Sequence, residues 1–235
     1  MKVLEFGTGI VSSPGGSSNN TGRATLFLHG FPGVRSKQNR DLAEATAARF
    51  RRKCFVPLYD GLGEADGVFS FLNCRDQVRS LAQELVTTYK LIDVVGHSWG
   101  GYLALGLASE YQEKIGSLIL MSPLLYFFTL DLSQQAFKLI GENNLALALG
   151  STDDLASEFY TLGSTERAED FAKQISPTTK VSIFQAANDD TTPVSYAENL
   201  VNQFQVRPHY EAVATDHSFL VNRGRALERV MTVLT

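Results

Sequence analysis

The chain predicts an α/β architecture: a mostly parallel central sheet flanked by helices on both faces, interrupted late by a helical insertion. Three observations carry this. Short apolar runs of strand length alternate with stretches at helical spacing, the rhythm of successive β–α units. The run Leu91–Val95 leads through Gly96-His97-Ser98-Trp99-Gly100 into Tyr102–Ala108, a strand–turn–helix passage with glycines on both sides of one serine. Chemically capable residues then gather just past the ends of strands, where open parallel sheets place their working groups.

The elements follow in order. Lys2–Ser12 mixes apolar and small residues and reads as one or two edge strands. Ser13–Asn20 is a turn-rich connector, too short to link two domains. Thr25–Leu28 is a buried strand running into His29-Gly30-Phe31-Pro32-Gly33. A helix is expected from Ser36 to Arg49, with Leu42, Ala45 and Ala48 on one side, and a strand at Cys54–Tyr59 ending in Asp60-Gly61-Leu62-Gly63. Val78, Leu81, Leu85 and Val86 predict a helix over Arg75–Tyr89. After the glycine-flanked serine comes the apolar strand Ile115–Met121, stopped by Ser122-Pro123. From Leu124 to Ile175 no strand pattern appears. Helical fragments are expected there at Leu132–Ile140, Asn143–Leu149, Asp153–Leu162 and Thr165–Lys173. The alternation resumes with a strand at Val181–Gln185, a helix near Tyr196–Phe204, a strand at His209–Val213 and a last helix from Phe219 to Leu234. Residues 1–123 and 176–235 are thus expected to form one core domain, with 124–175 inserted as a cap.

Composition narrows the function. In 235 residues, 44% hydrophobic and 20% charged, there is ample material for a core. A net charge of −4 offers no attraction for nucleic acid or an anionic membrane. No apolar run reaches the roughly 18 residues of a membrane span. The first residues lack the apolar stretch of a signal peptide. Cys54 and Cys74 form no C-x-x-C pair, so free thiols and a cytoplasmic location are expected. Small-molecule substrates are the expected partners, with a homodimer left open.

A serine hydroxyl attacks a carbonyl only when a base removes its proton and a third group orients that base. Ser98 is the candidate nucleophile, on a turn too tight for side chains at Gly96 and Gly100. Of the four histidines, only His209 and His217 follow it. His217, in a polar loop before the last helix, is the candidate base; His209 sits at a strand start, where edge packing is the simpler role. Asp189, at the end of a strand, is the candidate acid. Asp190 could instead tie down the turn before Pro193; Asp216 is a third possibility for the acid, although a residue adjacent to His217 in sequence finds it hard to reach the ring Nδ1 from the required side. The N–H groups of Trp99 and Phe31 are candidate oxyanion donors, since Pro32 has none to offer. His29 and His97 read as structural. Tyr126-Phe127-Phe128 opens the insertion and reads equally as core or as the wall of an acyl pocket, making Tyr126 and Phe127 the substrate-binding candidates.

The blocks HGFPG, YDGLG, GHSWGG, NDDTTP and DHSF, in this order and spacing, resemble the α/β-hydrolase superfamily over nearly the whole chain. The resemblance implies the α/β-hydrolase fold, a Ser98–His217–Asp189 triad, an acyl-enzyme intermediate, a helical cap, and neither cofactor nor metal. The chain lacks the HGGPG and DQRG blocks of proline iminopeptidases. Dehalogenases and epoxide hydrolases place aspartate where Ser98 stands. The HGF opening looks like small carboxylesterases, monoglyceride-lipase-like enzymes and feruloyl esterases, so the expected substrate is a small or medium-sized carboxylic ester. An amidase or peptidase, a C–C bond hydrolase or a lactonase would use the same triad; a non-catalytic ligand-binding member would have no need of it.

Overall fold

The computed structural model describes residues 1–7, 22–33, 37–143, 147–221 and 223–234. Its strands are β1 (Lys2–Phe6), β2 (Arg23–Leu28), β3 (Lys53–Leu58), β4 (Leu91–His97), β5 (Ile115–Met121), β6 (Lys180–Asn188) and β7 (His209–Asp216). The helices are α1 (Lys37–Phe50), α2 (Phe71–Thr88), α3 (Trp99–Tyr111), α4 (Leu130–Asn143), α5 (Thr152–Thr165), α6 (Ala168–Gln174), α7 (Val194–Val201) and α8 (Arg223–Val233).

The strands form one sheet in the order β1-β3-β2-β4-β5-β6-β7, with β1 antiparallel to β3 and every other pair parallel. Both faces are covered, so the central strands read as continuous apolar runs rather than alternating ones. Alternate residues nevertheless serve different cores. Leu26, Leu28, Val94 and Leu120 pack with α2, α3 and the helices between β5 and β6, whereas Phe27, Val95, Ile119 and Phe184 pack with α1 and α8. Register aligns Leu28 with Gly96 and His97 with Met121, so the carboxyl ends of the central strands share one edge.

At the opposite end the sheet buries a charge cluster. Asp93 of β4 is fully buried and accepts from Arg23 Nε at 2.9 Å, Arg23 Nη2 at 2.6 Å and Arg52 Nη1 at 2.5 Å. Arg23 Nη2 also reaches Ser117 Oγ at 3.1 Å.

Several boundaries differ from expectation for local reasons. α2 starts at Phe71 rather than Arg75 because Ser70 caps it, its hydroxyl accepting from Asn73 N at 3.1 Å. Residues 147–149, expected as helix, are extended: Ala148 donates to Gly61 O and accepts from Phe69 N, and those bonds replace helical ones. The last helix begins at Arg223 because the backbone from Asp216 to Val221 turns, with Phe219 at φ +52°. β1 ends at Phe6, and the expected strand residues 8–12 and connector 13–20 lie outside the described residues, as do 144–146 of the expected Asn143–Leu149 helix.

Candidate active site

Ser98 stands where β4 hands over to α3. It holds φ +53° and ψ −119°, a strained setting for a residue with a side chain. The surrounding backbone dictates this turn. A Cβ on Gly96 would lie 2.3 Å from Gly100 O, and one on Gly100 would lie 2.2 Å from Leu28 O. Ser98 N donates to Met121 O at 3.0 Å, and Ser98 O accepts from Gly101 N, Tyr102 N and Leu124 N. Because α3 begins at Trp99, the positive end of its dipole lies beside the serine. The loop after β2 closes in from the other side: a Cβ on Gly30 would come within 3.0 Å of Ser98 Cβ. Phe31 follows directly.

The turn beyond β7 carries His217. Its Nδ1 lies 2.9 Å from both carboxylate oxygens of Asp189, which stands one residue past β6. The Asp189 side chain is fully buried, and its other partners are dense. Thr191 N (3.0 Å) and Thr192 N (2.7 Å) donate to Oδ1, while Gln185 Nε2 (3.0 Å) and Thr192 Oγ1 (2.8 Å) donate to Oδ2. Burial alone would raise the carboxyl group's pKa. Hydrogen bonds from His217, the Thr192 amide and the Ser122 hydroxyl outweigh it, so Asp189 is held well below the ordinary carboxylate range.

His97, last residue of β4, links the serine turn to the histidine turn. Its Nε2–H donates to His217 O at 2.8 Å, and the two rings lie 5.0 Å apart. Burial pushes His97 down to about 4, helped by the neighbouring His217. His29 is pushed to about 4 by burial against a weaker contribution from its bond to Gly30 O at 2.8 Å, and its ring stacks on Tyr59 at 3.9 Å. Both rings are therefore neutral at pH 7, each fixed by a donated N–H to a carbonyl.

The remaining sequence candidates fall in different places. Asp190 turns to Thr191 Oγ1 at 3.2 Å, and Asp216 accepts from Leu220 N at 2.8 Å, bracing the turn that holds His217. His209 is exposed and faces Glu211. Trp99 is buried, stacked on Tyr102 and donating Nε1–H to Cys74 Sγ at 3.4 Å, which leaves its main chain to the turn. Phe31 joins a ring cluster with Phe69 (4.7 Å), Phe71 (5.1 Å) and Phe137 (6.0 Å). Phe127 packs inward on Tyr102 and Phe159, with the bare Cα of Gly163 against it. Tyr126 is more exposed and pairs with Tyr196 of α7 at 5.1 Å.

Sequence reasoning missed Gln185, Thr192 and Ser122, all buried. The one available signal was a glutamine inside the apolar strand run Val181–Gln185, since a buried amide needs partners. Among the described residues no cluster of three His, Cys, Asp or Glu could hold a metal ion, and no helix is long and apolar enough to cross a membrane.

A family model described as alpha/beta hydrolase fold matches residues 25–148. No curated protein sequence matches the chain. Similar solved structures include a thermophilic esterase from Thermogutta terrifontis (TM-score 0.69, 16% identity, covering 99% of this chain and 92% of that one). Another is a monoacylglycerol lipase from Paleococcus ferrophilus (TM-score 0.65, 19% identity, 98% of each chain). A third is Est1E from Butyrivibrio proteoclasticus with ferulic acid bound (TM-score 0.67, 17% identity, 97% and 92%). At these identities the likeness is one of fold.

Proposed function

The chain belongs to the α/β-hydrolase fold family, and from that premise we propose that it is a serine hydrolase cleaving carboxylic esters of small or medium size through an acyl-enzyme. The observation that carries the proposal is the Asp189–His217 pair, whose turn His97 ties to the strained, glycine-bounded turn of Ser98. That esterases and a lipase share the fold supports the choice of ester as the bond.

In the proposed reaction His217 Nε2 takes the proton of Ser98 as its oxygen attacks the ester carbonyl. Asp189 holds Nδ1–H, fixing the tautomer and stabilising the imidazolium. The Trp99 and Phe31 amides receive the developing oxyanion, a contribution of roughly 3 kcal/mol for each donor in comparable sites. The tetrahedral intermediate collapses as His217 gives its proton to the leaving alcohol, and water repeats the sequence on the acyl-enzyme. Residues 124–175 act as a cap: Phe137 and Phe159 of α4 and α5 both meet Phe71, and Glu158 accepts from Phe71 N at 2.7 Å.

The test is labelling with a fluorophosphonate probe alongside turnover of p-nitrophenyl esters of increasing acyl length. Wild type should label once, at Ser98, and Ser98→Ala and His217→Ala should each abolish labelling and lower kcat by about 10⁴-fold or more. Well-folded wild type that neither labels nor turns over any ester would overturn the proposal in favour of a binding role. Amide turnover exceeding ester turnover would change the bond and keep the triad.

A further inference from the structure

The Asp189 carboxylate is bound far more heavily than orienting one histidine requires. Two of its donors are backbone amides of its own loop and serve local geometry. The Gln185 donor is different. It stands on β6, inside the sheet and essentially without exposure, in an otherwise apolar stretch from Ile183 to Ala186. Its Nε2 carries two hydrogens and spends both on the loop: one on Asp189 Oδ2 at 3.0 Å, the other on Thr192 O at 2.9 Å. Thr192 in turn returns its hydroxyl to the same Asp189 oxygen at 2.8 Å. One side chain of the rigid sheet therefore grips both ends of the loop that presents the acid.

We infer that Gln185 is a positioning residue of the proposed hydrolase, fixing the Asp189 carboxylate against His217 and withdrawing part of its negative charge. The inference rests on the reading of Ser98, His217 and Asp189 as a triad. Each hydrogen bond donated to a carboxylate stabilises its charge locally and weakens its pull on a neighbouring imidazolium. Asp189 is the ionised group in contact with the His217 ring. His97 faces that ring from β4, with His29 beyond it, both neutral at pH 7. Asp216, next to His217 in the chain, spends its carboxylate on Leu220 N and Val221 N, and Asp190 turns to Thr191. The strength of the base is thus adjusted chiefly through Asp189, and Gln185 adjusts Asp189 from the sheet.

The test is Gln185→Met, which keeps length and removes the donor. With the amide gone, the carboxylate holds a protonated His217 more strongly. The acid limb of the kcat/KM profile should move to higher pH by about half a unit. At neutral pH kcat should fall roughly fivefold to tenfold with KM nearly unchanged, since only alignment is lost. A readout free of turnover is nitrogen-15 NMR titration of the His217 ring in Ser98→Ala, with and without Gln185→Met, where the midpoint should rise in the double variant. Loss of activity or stability with both limb and ring titration unmoved would overturn the inference and leave Gln185 a structural strut. Ser122→Ala removes another side-chain donor to Asp189, one residue past β5. It should move both readouts the same way, and it decides the matter if Gln185→Met does not fold. Failure of wild type to label at Ser98 would defeat the triad reading, whereas the NMR titration still reports whether Gln185 acts on His217.

Discussion

Lowering the pH should unfold this protein through two histidines that the proposed chemistry does not protonate. His29 and His97 titrate near 4 in the folded chain, against 6.5 when free, because burial disfavours the charged ring. The unfolded chain therefore binds more protons between these values. The stability associated with the neutral rings is complete above about pH 6.5 and is lost as pH falls toward 4. Full protonation disfavours the fold by about 3 kcal/mol per ring, with His97 contributing the smaller share because it retains some exposure. Between pH 7.5 and 4.5 the two together should remove roughly 4–5 kcal/mol, a large part of the ~5–15 kcal/mol typical of a domain. Asp189 acts in a lower window: its depressed pKa contributes stability that is lost only as pH falls below the ordinary carboxylate value of 3.8. Urea unfolding followed by circular dichroism at half-unit steps from pH 7.5 to 4.5 reads the slope. His29→Gln should reduce it by about half. An unfolding free energy that stays flat from pH 7.5 to 4.5 in wild type would refute the reasoning.

Two further expectations concern packing. Gly100→Ala must force its Cβ away from Leu28 O, now 2.2 Å distant, and so separate β2 from the serine turn; a loss of about 3 kcal/mol and of probe labelling should follow. Gly106→Ala on the same helix meets only Phe171 at 3.6 Å and should stabilise by ~0.5–1 kcal/mol in thermal unfolding with labelling intact. Asp93→Asn at the far end of the sheet leaves two arginines without their counter-charge and should cost about 3–5 kcal/mol in denaturant unfolding. Labelling per folded molecule should stay at the wild-type rate, because the cluster lies at the other end of β4 from Ser98.

Much of this was legible in the chain because it is written locally. The α/β alternation depends on periodicity over a few residues. The serine turn announces itself through Gly96 and Gly100, whose need for a bare Cα is a property of the turn. Strand ends drew attention to Asp189 as a candidate, and the polar loop before the last helix to His217. What only the tertiary structure decided are relations between distant segments. Periodicity could not foresee that 147–149 would run extended, because the carbonyl and amide that pair with Ala148 belong to Gly61 and Phe69. Nearness to a strand end favoured Asp189 over Asp190, but only the fold shows which carboxylate meets Nδ1 of a residue on another strand's turn. Tyr126 and Phe127, adjacent in sequence, were separated by packing: one pairs with α7 near the surface, the other is inserted between α3 and α5. Gln185 and the His97–His217 bond stayed hidden for the same reason. A hydrogen bond joins partners that are close in space, and sequence records closeness only along the chain.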